Sequence, residues 1–366
     1  MSRRTAVLLA SGLVIAAIVL GIGVVMLVTR HSAPALRLEN AQSGGWFTVY
    51  FTAPKNPARE SNPPDSLDAA LTRFIQSAQS RVDMAASQLD LPGVIQALLD
   101  AKRRGVVVRV VTDVDILADK KENQAFKELQ SSGIPVVGGN PKGIMHDKFV
   151  VVDQSAVWTG SWNLTTNDTY RYNNNTILIR SPELARNYTA TFEKMFADKT
   201  FGTQRKPGGT TPRLTIGGSM VENYFAPEDR VAAKIIARLK QAARTIDFLA
   251  YSFTDDDIGS VILERAQGGV KVRGVFEMTG ADTPSGEYSK MKQAGLDVWR
   301  DGNPYLMHHK VFIIDGKTVI FGSFNFTQRA EEENDENLLI VDDLALAAQF
   351  EDEFARVYEQ AKSVRR

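Results

Sequence analysis

The sequence predicts an α/β protein: two similar layered α/β lobes related by a pseudo-two-fold axis, preceded by one transmembrane helix. Three observations carry this expectation. The spelling H-x-K-x4-D-x6-G-S-x-N occurs twice, as His146, Lys148, Asp153, Gly160, Ser161 and Asn163, then 162 residues later as His308, Lys310, Asp315, Gly322, Ser323 and Asn325. Apolar, strand-like runs alternate with helical periodicity ahead of each copy. Residues 5–29 contain no charge, in a chain of 366 residues with 43% hydrophobic and 23% charged content. At about one chance in twenty per position, six identities in one register arise by accident about once in tens of millions of registers. The repeat is therefore a duplication.

The N-terminal stretch comes first. Arg3 and Arg4 precede the uncharged run Thr5 to Thr29, which Arg30 closes. At about 1.5 Å per residue the run can cross a hydrocarbon core about 30 Å thick, so residues 1–31 are expected to form a membrane anchor. A cleaved signal peptide is the alternative, since Ser32-Ala33-Pro34-Ala35 offers small residues, but its apolar core spans only about 7–15 residues. The short tail is expected to stay inside, placing the rest of the chain outside the cytoplasm.

After a linker at 32–45, the first lobe is expected over 46–200. It opens with a strand at Trp46–Phe51 between loop-rich segments. An amphipathic helix over Ser66–Ser80, a strand at Val82–Ala86, a helix at Leu91–Arg104 and a strand at Val106–Thr112 follow. Next come a helix near Glu122–Ser131, the motif hairpin, a strand at Thr176–Ile179 and a helix from Pro182 to Ala197. Such alternation implies parallel strands with right-handed crossovers. Gly, Thr and Pro crowd Pro207–Pro212, so 201–218 reads as a linker between lobes. The order then restarts over 219–366, with strands at Val221–Phe225, Thr245–Ala250 and Val270–Phe276 and a closing helix at Asp343–Ala361.

Within each motif, His and Lys stand two apart, so on an extended strand both leave the same face and can meet one phosphate. The runs Phe149–Val152 and Val311–Ile314 read as buried strands. A turn at Gln154-Ser155 or Gly316-Lys317 leads to a second strand that delivers Gly-Ser-x-Asn beside the His and Lys. Two such hairpins supply both halves of a displacement at phosphorus. One histidine attacks while the other protonates the leaving oxygen, and Lys148, Lys310, Asn163 and Asn325 hold the non-bridging oxygens. Ser161 and Ser323 are candidate phosphate or histidine contacts. Asp153 and Asp315 are candidate catalytic residues, with a turn-forming role as the alternative. No metal and no cofactor is required. The chain has no cysteine, and His31 is the one histidine outside the motif spans. Asp255-Asp256-Asp257 reads as the acidic first turn of a helix capped by Thr254 rather than as a metal site.

The duplicated motif resembles that of the phospholipase D superfamily, whose H-K-D signature it matches twice. Flanking segments repeat too: Val82-Asp83 recurs as Ile246-Asp247, and Val108-Arg109 as Val272-Arg273. The resemblance implies a duplicated phospholipase D-like fold and a covalent phosphohistidine on His146 or His308. It also implies an acidic residue downstream of Gly-Ser-x-Asn that orients an imidazole. The second repeat carries Glu336 there, whereas the first reads Asn173-Asn174-Asn175. Because the resemblance suggests that this contact crosses between lobes, His146 is the expected nucleophile and His308 the acid.

Lysine plus arginine equals aspartate plus glutamate, 43 against 43, so no overall basic excess marks a dedicated nucleic-acid binder. From Lys206 onward the counts are 20 basic and 25 acidic, leaving 23 and 18 before it. The leading expectation is hydrolysis of phospholipid headgroups at a membrane, or phosphatidyl transfer to an alcohol. The alternative is an endonuclease acting on DNA or RNA, favoured by compact lobes and the positive first half. A catalytically dead membrane scaffold is opposed by the intact His and Lys pairs. No obligate protein partner is implied.

Overall fold

Each repeat folds around an eight-stranded mixed sheet, and a computed structural model describes residues 41–43, 45–58, 66–281 and 283–364. The expected anchor at 1–31 lies outside the described residues. Among the described residues, no helix is long and apolar enough to cross a membrane.

The first half contributes β1 (Ala41–Ser43), β2 (Phe47–Phe51), β3 (Arg81–Ala86), β4 (Val107–Asp113), β5 (Val136–Gly139), β6 (Lys148–Val152), β7 (Ala156–Gly160), β8 (Tyr172–Asn173) and β9 (Asn175–Arg180). The second contributes β10 (Arg213–Ile216), β11 (Ser219–Ala226), β12 (Thr245–Ala250), β13 (Lys271–Phe276), β14 (Asp297–Arg300), β15 (Leu306–Met307), β16 (Lys310–Ile314), β17 (Thr318–Gly322) and β18 (Glu336–Asp342). The sheet orders are β1-β2-β9-β7-β6-β3-β4-β5 and β10-β11-β18-β17-β16-β12-β13-β14, the same path twice. Only β3-β4-β5 and β12-β13-β14 run parallel within the sheets. The expected alternation of parallel strands therefore covers one side of each sheet, while the motif hairpins pair antiparallel.

Two stretches expected as linkers carry structure. Ala41–Ser43 pairs with β2, and Arg213–Ile216 pairs with β11 in the equivalent position. The segment between lobes also holds a 3-10 turn at Gly202–Gln204. Glycine and proline density signalled turns there but not the short edge strand between them.

The motif strands are buried on both faces, with alternate residues packing oppositely. Phe149 and Val151, like Val311 and Ile313, point into a core shared by the two repeats, whereas Val150 and Val152, and Phe312 and Ile314, face each repeat's own outer core. Fully burying such a side chain contributes about 1.5–3 kcal/mol, so the continuous apolar run is the signature of a strand covered twice. Two helices fill the shared core. Pro182–Phe196 is capped by Ser181, whose Oγ accepts from Leu184 N, and Leu344–Ser363 is capped by Asp343 through Leu346 N. Their buried residues Leu184, Tyr188, Phe192 and Met195 recur at the repeat interval as Leu346, Phe350, Phe354 and Val357.

Repeated ion pairs tie the parallel strands. Arg109 grips Asp83 at 2.7 and 2.9 Å, and Arg273 grips Asp247 at 2.8 and 2.6 Å. The repeats also join backbone to backbone across the centre: β15 pairs with β8, Leu306 to Tyr172 and Met307 to Asn173, and Met145 bridges Asp335. These two junctions place each motif's entry strand beside the other repeat's post-motif segment.

The hairpin turns are centred one residue earlier than expected. Asp153 and Gln154 both have positive φ, at 51° and 52°, as do Asp315 and Gly316 at 57° and 65°, the geometry of a type I′ turn. Asp153 and Asp315 thus take the turn-forming role that was the alternative to a catalytic one. Asp153 accepts from the backbone N–H of Gln79, Ser80 and Arg81 at 2.9, 2.8 and 2.9 Å, and Asp315 accepts from Ala243, Arg244 and Thr245 at 2.9, 2.7 and 2.8 Å. Each lies at the strand end remote from its histidine, seven residues or roughly 20 Å of chain away. Burial alone would raise the Asp153 carboxyl, but these amides outweigh it and hold it below its usual value. The stabilisation is present above the unfolded carboxyl pKa and is lost as pH falls through the folded one. Asp153→Asn is expected to lower stability by about 1–2 kcal/mol, read by denaturant unfolding at pH 7, with kcat within twofold of the parent. A large loss of kcat in a fully folded variant would restore Asp153 to the site.

Asp255-Asp256-Asp257 opens the helix Asp256–Gln267 as expected, but Asp255 itself is the cap, accepting from Ile258 N at 2.9 Å, rather than Thr254.

Candidate functional site

Gly160 and Gly322 end the second motif strands where the chain passes a neighbouring backbone. A Cβ at either would sit 2.3 Å from a carbonyl oxygen, of Asn175 or Asn337 respectively. Only glycine allows that approach, and it brings Ser-x-Asn next to the segment carrying Asn174 or Glu336.

The post-motif segments cross over. His146 Nδ1 lies 2.8 Å from both carboxylate oxygens of Glu336 in the opposite repeat. His308 Nδ1 lies 3.0 Å from Asn174 Oδ1, again in the opposite repeat. Glu336 and Asn174 are themselves 162 residues apart, so the two contacts are equivalent under the pseudo-two-fold. With Nδ1 engaged in both rings, Nε2 is the nitrogen left for chemistry. Lys148 Nζ donates to His146 O at 2.8 Å and Lys310 Nζ to His308 O at 2.9 Å. Both ammonium groups act electrostatically on both imidazoles. The two half-sites therefore form one.

Ser161 and Ser323 sit behind the imidazoles. Each is buried, and each hydroxyl donates to the residue that holds the opposite imidazole: Ser161 Oγ to Asn174 Oδ1 at 2.9 Å, and Ser323 Oγ to Glu336 Oε2 at 2.6 Å. A hydroxyl spent this way orients the histidine's partner. Asn163 Nδ2 donates to Asp168 Oδ1 at 3.2 Å, and its Oδ1 accepts from Ser87 Oγ at 3.3 Å. The buried Asn325 Oδ1 has no hydrogen-bond partner.

Electrostatics follow from burial. His146 is held below its usual value by burial, with Glu336 opposing and Lys148 adding to the fall. Burial and then Lys310 push His308 down to about 3, against the pull of Asp168. Lys148 falls to about 8 through burial, partly offset by Glu336, and Lys310 falls well below its usual value through burial and Lys148. An anion entering between these groups would relieve every one of these depressions.

Sequence reasoning missed the layer behind the histidines. Asp147 and His309 occupy the x of the two H-x-K motifs and are wholly buried. Asp147 accepts from Asn337 Nδ2 at 2.9 Å and faces Arg205 at 3.8 Å; His309 lies 2.9 Å from both Asn175 Oδ1 and Glu353 Oε1. Arg205, from the expected linker, also meets Glu228 at 2.8 Å and Asp335 at 3.2 Å. Burial pushes Asp147 up to about 7 and Asp335 up to about 6, with Arg205 opposing in both. The titratable x residues were the available signal. Arg205→Met is expected to cost about 3–5 kcal/mol, measured by chemical denaturation, because it strands these carboxylates. A loss under 1 kcal/mol would show that they sit neutral without it.

The aromatic residues near the first motif divide. Trp158 and Trp162 pack in the outer core of the first repeat, while Tyr172 and Tyr251 flank His308 with ring centroids 6.5 and 4.7 Å away. Among the described residues, no group of three or more His, Asp or Glu is arranged to hold a metal ion.

A family model described as cardiolipin synthase, PLD-like domain, matches residues 71–196 and 235–358, one match per repeat. A mitochondrial cardiolipin hydrolase of Chlamydomonas reinhardtii is 36% identical over 130 residues, covering 36% of this chain and 58% of the relative. A phospholipase D of Rickettsia prowazekii is 33% identical over 132 residues, covering 36% of this chain and 64% of the relative. The chain thus spans less than two thirds of the length of either. The crystal structure of a phosphatidylserine synthase from Haemophilus influenzae shares the fold with a TM-score of 0.66 over 87% of this chain and 88% of that one, at 16% identity.

Proposed function

Since the chain belongs to the phospholipase D superfamily, we propose that it is a phosphodiester hydrolase that cleaves phospholipid headgroups through a phosphohistidine on His146. The observation that carries the chemistry is the pair of imidazoles, each fixed at Nδ1 from the opposite repeat and both within the field of Lys148 and Lys310.

His146 suits the nucleophile. It is neutral near pH 7, its Nδ1–H points at a carboxylate, and its Nε2 keeps a lone pair. Nε2 bonds to phosphorus as the ester P–O bond breaks, and the leaving oxygen takes a proton from His308 Nε2. Water then gives a proton to His308 and its oxygen attacks phosphorus, and the P–N bond breaks to free His146. An alcohol in place of water gives phosphatidyl transfer. Lys148 and Lys310 neutralise the non-bridging oxygens, and the charge of the bound diester favours the protonated His308 that the first step needs. Asn163 and Asn325 are proposed to hold the non-bridging oxygens with the lysines, and the unpartnered Asn325 Oδ1 has capacity for a water or hydroxyl donor.

The lipid assignment is supported by the cardiolipin hydrolase and phospholipase D relatives, together with the uncharged N-terminal stretch expected to hold the protein at a bilayer with its catalytic region outside the cytoplasm. The lobes are taken as 46–200 and 219–366, joined at 201–218. The full-length protein in mixed micelles, given labelled phosphatidylcholine and single-stranded DNA side by side in chelator, is expected to release headgroup from the lipid. Cleavage of DNA alone would replace this reading with a nuclease, and inertness towards both would leave a scaffold.

A further inference from the structure

The two repeats divide their carboxylates differently. The position of Glu336 in the second repeat is Asn174 in the first, and the position of Ala330 in the second is Asp168 in the first, each pair separated by the repeat interval. Asn174 reaches His308 but carries no charge. Asp168 is buried, its Oδ1 lies 3.4 Å from His308 Nδ1, and the same oxygen accepts from Asn174 Nδ2, Asn163 Nδ2 and Asn163 N, all at 3.2 Å.

We infer that Asp168 is a positioning residue that supplies His308 with the carboxylate its repeat lacks at residue 174, holding the ring through Asn174 and charging it for leaving-group protonation. The inference rests on the proposed function only for the purpose of that proton.

A purely structural part for Asp168 is available and insufficient. Asp168 sits three residues after the cap Thr165, whose Oγ1 accepts from Asp168 N at 3.2 Å and donates to Asp168 Oδ2 at 2.8 Å. The equivalent turn in the second repeat is capped by Thr327 through Ala330 N at 3.2 Å with no carboxylate at the position of Asp168. The cap therefore forms without the acid, and the carboxylate's other oxygen is directed at the histidine. The charged groups that act on His308 are Asp168, Lys310 and Lys148, and the titratable Tyr172 and Tyr251 flank its ring. Asp168 is the only negative one among them. Burial would raise its carboxyl, yet bonds from His308, Thr165 and Asn163 keep it below its usual value, so it stays ionised where a cationic imidazole needs it.

The test has an arm that does not depend on turnover. In protein labelled with nitrogen-15 at histidine and loaded with inorganic phosphate, His308 should titrate at least one pH unit lower in Asp168→Asn than in the parent, a tenfold loss of protonation. The double variant Asp168→Ala with Asn174→Glu, which copies the second repeat, should restore it. In turnover, Asp168→Asn should slow a phosphodiester with a poor alkoxide leaving group at least thirtyfold more than one with a nitrophenoxide group, and should move the basic limb of its pH profile to lower pH. An unchanged His308 titration, or equal losses on both esters with an unmoved profile, would overturn the inference. Absence of turnover in the parent would sink the proposed function while leaving the titration arm to decide this one.

Discussion

His146→Asn is expected to form no covalent intermediate and to lose about 10⁴–10⁶-fold in kcat, the range seen when an enzyme loses its nucleophile outright. The His308→Asn protein should behave differently. An activated ester needs no proton on its leaving group, so that variant should still accumulate phosphoenzyme on His146, and accumulation should be longer-lived because no base remains to activate water. Acid quenching destroys phosphohistidine, so the trapped species is best mapped by alkaline quench and peptide mass spectrometry. Label found on His308 in the parent protein would reverse the two roles. The asymmetry behind this expectation is visible in the contacts: Nδ1 of His146 meets a carboxylate with both oxygens at 2.8 Å, whereas Nδ1 of His308 meets an amide oxygen at 3.0 Å with the carboxylate further off at 3.4 Å.

Glu336→Gln is expected to reduce kcat/KM by about 10²–10⁴-fold, by analogy with removal of the charge behind a catalytic imidazole. Glu336 is wholly buried and receives Ser323 Oγ at 2.6 Å and Asn334 Nδ2 at 3.2 Å besides His146. Glutamine keeps the shape but brings an NH2 group into a ring of donors, which favours the wrong imidazole tautomer. The pH dependence has a definite sign. Glu336 raises the His146 pKa against burial, so losing its charge lets that pKa fall further. The acid limb of kcat/KM, which reports loss of the neutral nucleophile, should move to lower pH while the plateau drops. A variant that is merely less stable would show the lower plateau with the limb unmoved. Thermal denaturation of both proteins in the same buffers separates the cases.

Legibility in the sequence followed the range of the interactions. The hairpins were readable because strand burial on both faces leaves a run such as Phe149–Val152 with no polar break, and because two residues on alternate positions must share a face. The His–Lys pairing and the crossing of Glu336 to His146 came from spacing and resemblance. For the serines the sequence left phosphate and histidine contact open, because the position of their hydroxyls relative to Asn174 and Glu336 is a tertiary fact. Asp153 and Asp315 share the motif with the histidines yet work on amides some seventy residues earlier, a contact that sequence distance hides. Asp168 carries no mark in the sequence, since a carboxylate three residues after a threonine is ordinary at a helix start, and only the neighbours of its Oδ1 set it apart.

The chain's own spelling was sufficient to determine the duplication, the paired hairpins and the class of chemistry, since these depend on local periodicity and on residue types that phosphorus displacement demands. Tertiary structure decided what the spelling does not record: the reach of Asn174 to His308, the burial that keeps the histidines neutral, the Arg205 cluster behind them and the single core beneath both sheets. Those contacts join residues well separated in the chain, and their energies come from desolvation and geometry, neither of which any short stretch of sequence records.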